Sequence, residues 1–74
     1  MKIKFIEVGR MERTWESECP ANNVDELDYD WMYLQVKKNG LVMSCDLDFF
    51  VNEDGKSGAI TAGFYTIGKF QIVS

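Results

Sequence analysis

Residues 30–51 form two runs of alternating apolar and polar side chains joined by Asn39-Gly40, and a chain with that arrangement has few folds open to it. Met32, Leu34 and Val36 alternate with Trp31, Tyr33, Gln35 and Lys37, which is the period of a strand with one buried face. Asn-Gly suits a type I′ turn, whose two central residues both need positive φ, so a hairpin is predicted there. In that register Lys38 faces Leu41, Val36 faces Met43, Leu34 faces Cys45 and Met32 faces Leu47, and the apolar sets fall on one side.

A second turn signal, Asp54-Gly55, sets Phe49 opposite Ile60, Leu47 opposite Ala62 and Cys45 opposite Phe64. The tail is predicted to turn at Gly68-Lys69, in the Gly-first pattern of a type II′ turn, and return as a further strand. The predicted fold is therefore mainly β, a β-rich α+β chain. Its centre is an antiparallel meander of three to four strands over about 30–37, 41–51, 57–67 and 69–73.

The first half adds an N-terminal strand or hairpin. Lys2 to Val8 reads as a strand, but Ile3 and Phe5 fall on one parity and Ile6 and Val8 on the other, so it is buried on both faces or bulged. Gly9-Arg10 offers a turn, after which Glu12, Thr14, Glu16 and Glu18 alternate with Met11, Arg13, Trp15 and Ser17, as in a charged edge strand. A helix is the rival reading of that segment, because Met11 and Trp15 are also four residues apart. Asn23 followed by Glu26 has the spacing of an N-cap and its N3 partner, so at most one short helical turn is expected near 24–28.

At 74 residues the chain is a single domain over 1–74 with a thin core, and partner burial or homo-oligomerisation would enlarge what it can bury. No apolar run reaches the roughly 18 residues of a membrane span, and the start lacks a signal-peptide apolar stretch, so a cytoplasmic protein with no membrane partner is expected. Cys19 and Cys45 lack metal-site or CxxC spacing and read as two free thiols.

Acids outnumber bases twelve to eight, and they are grouped. Glu16, Glu18, Asp25, Glu26, Asp28 and Asp30 form one block without Lys or Arg; Asp46, Asp48, Glu53 and Asp54 form another. Such blocks disfavour direct nucleic-acid binding and favour a basic protein surface as partner, although a solvated, solubilising face has the same composition.

Catalysis has little to stand on. The chain has no histidine, which removes the commonest general base, the Ser-His and Cys-His nucleophile pairs and the commonest zinc ligand. No phosphate-binding glycine motif occurs, and a calcium loop started at Asp25 would put Asp30 and Val36 where Gly and Glu are required. No catalytic residue, metal ligand or cofactor is therefore assigned, and the chain is expected not to be an enzyme.

On the predicted register the face turned away from the core carries Trp31, Tyr33, Asp46, Asp48, Thr61 and Tyr65, with Trp31 opposite Asp48 and Tyr33 opposite Asp46. Aromatic rings supply contact area and carboxylates select a basic partner, so Trp31, Tyr33, Asp46, Asp48 and Tyr65, with Asp28 and Asp30, are the candidate partner-binding residues. The competing reading covers these rings with Ile6, Met11 and Trp15 of the first half, closing a small barrel or a two-layer sandwich.

Two functions follow as expectations. The first is a small acidic binding protein that docks on a basic surface, such as an inhibitor whose aspartates stand where DNA phosphates would sit. Its size and acidity are similar to those of small phage and mobile-element inhibitors, a likeness of type that rests on no motif. The second is an oligomeric protein that sequesters a ring-containing metabolite or nucleotide by stacking it on Trp31, Tyr33 and Tyr65.

Overall fold

The computed structural model describes residues 1–43 and 45–73. Its order is β1 (Lys2–Val8), β2 (Arg13–Glu18), a 3-10 turn (Val24–Glu26), α1 (Tyr29–Asn39), β3 (Leu47–Val51), β4 (Ser57–Ala62) and β5 (Tyr65–Ile72). The strands form one antiparallel sheet in the order β2-β1-β5-β4-β3, so the N-terminal hairpin joins the C-terminal meander along β1 and β5. The mainly β class is as expected. The sheet is open, with α1 over one face, and does not close into the barrel or sandwich of the competing reading.

The segment expected as strand 30–37 is helix. Asp28 caps it, accepting a hydrogen bond from the Asp30 amide, and Lys37 and Lys38 lie in the last turn, where cations suit the helix dipole. Met32 and Val36 satisfy both periods, but Tyr29 and Tyr33 complete the i, i+3, i+4, i+7 set, and that set wins. Met32 and Val36 are buried while Leu34 is 63% exposed, which a one-faced strand would not allow.

The predicted hairpin about Asn39-Gly40 is likewise absent. Gly40 has φ −84° and ends the helix, its amide donating to the Val36 carbonyl. A Cβ on it would lie 2.7 Å from that carbonyl oxygen and 3.0 Å from Val8, so this glycine serves close approach of the helix end to the β1–β2 hairpin. The strand expected over 41–51 is reduced to Leu47–Val51; position 44 of that range lies outside the described residues.

The hairpin at Asp54-Gly55 is as predicted, with Phe49 facing Ile60 and Leu47 facing Ala62. Asp54 accepts hydrogen bonds from the amides of Lys56 and Ser57, which hold its carboxyl below the usual range. Cys45 and Phe64 do not join the ladder. The expected strand 57–67 stops at Ala62, because Gly63-Phe64 carries the same Gly-first signal, with φ +62° at Gly63. Gly68, expected in a turn, lies inside β5 with Val8 2.8 Å from where its Cβ would be, so the return strand begins at Tyr65 rather than Lys69.

The N-terminal strand is bulged. The β1–β2 register shifts between Phe5 and Val8, Glu7 has φ +49°, and its amide donates to the Thr14 hydroxyl. The bulge resets the phase, so Ile3, Phe5 and Val8 are all buried while Ile6 is only half-buried. Residues 13–18 are the charged edge strand, and the turn near 24–28 is the 3-10 segment capped by Asn23. Both cysteines are free, Cys19 in the core and Cys45 exposed.

The core is Ile3, Phe5, Val8, Cys19, Met32, Val36, Leu47, Ile60 and Phe70. Two substitutions separate the helical from the extended phase. Met32→Ala should lower stability by about 2–5 kcal/mol and Leu34→Glu should change it by less than about 0.5 kcal/mol, read by urea unfolding. Equal losses would contradict the helix. In the sheet, Gly58→Ala should lower stability by about 1–3 kcal/mol or more, because the new methyl would lie 2.3 Å from both the Phe50 carbonyl oxygen and the Phe70 ring.

Candidate functional site

Replacing the strand by a helix redistributes the predicted site residues. Positions 31 and 33 share a face in a strand but lie about 200° apart on a helix. Trp31 leans over Phe5, with ring centroids 6.2 Å apart, and Gln35 on the same flank hydrogen-bonds Ser17 of β2. Tyr33 is on the β3 flank, 6.0 Å from the Tyr29 ring, and the neighbouring Cys45 thiol raises its phenol above the ordinary value. The cross-strand pairs Trp31 with Asp48 and Tyr33 with Asp46 do not form. Asp48 faces Thr61, and Trp31 is a half-buried part of the packing.

Asp28 is also accounted for locally, since its carboxylate caps α1. Asp30 lies exposed in the first helical turn. Asp46, at the entrance to β3, accepts the Gly63 amide through its backbone carbonyl, which ties it to the β4–β5 turn. Tyr65, just beyond that turn, is 77% exposed and opposite Ala62.

Tyr29, which pattern reading did not single out, joins these groups. Its hydroxyl donates to the Leu47 carbonyl, and its ring meets Phe49 edge-on at 5.5 Å. Partial desolvation, then the negative charges of Asp48, Asp46 and Asp30, raise its phenol above the ordinary value of 10.0. The charges of Asp30 on the helix, Asp46 at the β3 entrance and Asp48 in β3 are thus all felt at this phenol, although Asp48 stands on the face of β3 opposite Leu47 and Phe49. These carboxylates do not form a metal site: among the described residues no three Cys, Asp or Glu groups are placed to hold an ion.

The apolar part of this surface was also missed. Phe50 and Val51 on β3 are exposed, as are Leu41, Met43 and Phe64 at the end of the sheet. Phe64, expected in the core opposite Cys45, is fully exposed at the tip of its turn. A cleft of about 480 Å³ runs between Met11, Leu41, Met43 and Ala62. The signal in the sequence was the run Leu47-Asp48-Phe49-Phe50-Val51, in which three consecutive apolar residues cannot all face one core.

No family model, curated protein or solved structure matches this chain. Among the described residues no helix is long and apolar enough to cross a membrane.

The electrostatic convergence has a measurable sign. The folded chain holds Tyr29 neutral, and that preference is fully present below the ordinary phenol value of 10.0 and is lost as pH rises through the higher folded value. In an alkaline titration followed by ultraviolet absorbance and compared with Tyr29→Phe, Tyr29 should ionise after a free tyrosine, and Asp48→Asn should bring its midpoint down. A midpoint unmoved by Asp48→Asn would contradict the convergence.

Proposed function

We propose that this chain is a small, acidic, non-enzymatic binding protein that docks its acidic and aromatic surface on a basic surface of a partner protein. The observation that carries the reading is the exposure of Phe50, Phe64 and Tyr65 beside β3, where the Asp46 carbonyl is tied to the Gly63-Phe64 turn and Asp48 shares a face of the sheet with Phe50. Exposed aromatics give a partner area to bury, and grouped carboxylates reject acidic partners and speed the approach of basic ones. A groove built to hold nucleic-acid phosphates is one such basic surface, which makes an inhibitor of a nucleic-acid-binding protein the natural instance of this class. The helical course of 29–39 favours this reading over ring stacking, since Trp31 and Tyr33 lie on opposite flanks of α1.

Chain immobilised on beads should retain a partner from lysate of its own cells, and retention should fall as salt shortens the range of the charges. Asp46→Lys combined with Asp48→Lys should abolish retention while leaving the circular dichroism spectrum and melting profile unchanged. Retention that survives both the substitutions and high salt would refute the proposal.

A further inference from the structure

The sheet has two edges, and they are treated differently. Along the β2 edge, Arg13, Glu16 and Glu18 are exposed charges of the kind that discourages another strand from pairing. The β3 edge, Leu47–Val51, carries one charge, Asp48, and leaves Phe50 and Val51 exposed.

Two hydrogen bonds fix which backbone groups of β3 are in use. The Asn52 amide donates to the Ser57 carbonyl, and the Gly63 amide donates to the Asp46 carbonyl. Both lie on the β3–β4 register, so residues 46, 48, 50 and 52 turn their amides and carbonyls toward β4. Leu47, Phe49 and Val51 therefore turn theirs outward. Tyr29 takes the Leu47 carbonyl. Among the described residues nothing takes the amides and carbonyls of Phe49 and Val51, which is enough for two hydrogen-bonded residue pairs with an incoming strand.

Resting on the proposed function above, we infer that the β3 edge is a strand-addition site for an extended, basic segment of the partner protein. Charge selects this occupant. No Lys or Arg occurs between Lys38 and Lys56, whereas Asp46, Asp48, Glu53 and Asp54 lie along the edge and its turn. A second copy of the chain fits less well, because antiparallel pairing centred on Phe49 would set Asp48 of each copy opposite Phe50 of the other and Asp46 opposite Asn52 and next to Glu53, with no base on either strand. In the incoming strand, Lys or Arg at alternate positions meets Asp48 and lays its aliphatic stem over Phe50 on the open face, while the apolar residues between them pack beside Tyr29 and Phe49.

The probe is a short synthetic peptide alternating lysine and valine, titrated into isotope-labelled chain and followed by amide chemical shifts. Saturable shifts centred on Phe49 and Val51 are expected, about tenfold weaker binding with Asp48→Lys, and none with a peptide alternating glutamate and valine. Val51→Pro should abolish binding without breaking a β3–β4 bond, because it removes only an outward amide. Should that variant lose its fold, the same peptide N-methylated at alternate residues must fail on the unaltered chain. Absence of binding, shifts confined to Leu41, Phe64 and Tyr65, undiminished binding to folded Val51→Pro, undiminished binding of the N-methylated peptide, or self-pairing of the chain through the same amides would overturn the inference. If lysate capture still needs Asp46 and Asp48 in any of those cases, the docking proposal stands and only the strand-addition mode falls.

Discussion

The contact on which the rest of the molecule depends is the facing pair Phe5 and Phe70. In the sheet the β1–β2 hairpin joins the β3–β4–β5 meander along β1 and β5, and both rings are buried at that seam. Trp15 stacks on Phe5 at 4.7 Å, Trp31 leans on it from the helix, and the absent side chain of Gly58 makes room for Phe70. Burying one such ring stabilises by about 1.5–3 kcal/mol, a large share of the few kcal/mol that a domain this small can have in total. Without the seam there would be two short hairpins, each marginal alone, and no platform for α1.

The seam also explains why the two edges differ. Sealing β1 against β5 leaves β2 and β3 outermost, one beside the Trp15 flank of the helix and the other beside Tyr29 and Tyr33. The charged β2 edge is closed to further pairing by its own side chains. Among the described residues the β3 edge is covered where Tyr29 reaches the Leu47 carbonyl, and Asp48, Phe50 and Val51 stand exposed along it.

Much of the fold was legible in the sequence because turn chemistry is local. Asp54-Gly55 gave the correct β3–β4 register, the parity switch in Lys2 to Val8 signalled the bulge at Glu7, and Asn23 marked the 3-10 turn. The segment 29–39 was misread because Met32 and Val36 are spaced for either a strand or a helix, and Asn39-Gly40 reinforced the wrong choice. The deciding features were Asp28 as a cap and the lysines in the last turn, both weak signals singly. For the candidate site, the cross-hairpin pairing of rings with carboxylates is absent: Tyr33 stands beside Tyr29 on the helix, Asp46 and Asp48 lie at and in β3, and Trp31 and Asp28 have structural positions instead. Exposure of Phe50 and Phe64 depends on where strands end, which residue pattern alone does not fix.

An open β3 edge beside a closed seam has a direct signature in residue-resolved amide hydrogen exchange of the free chain. The amides of Lys4 and Gln71, which bond across the seam beneath Phe5 and Phe70, should be among the slowest to exchange; in β3, Asp48 and Phe50 should be protected and Phe49 and Val51 should exchange nearly as fast as an unstructured peptide. Equal protection of Phe49 and Val51 with their neighbours would mean that the edge is already occupied, and would contradict the placement of a binding surface there.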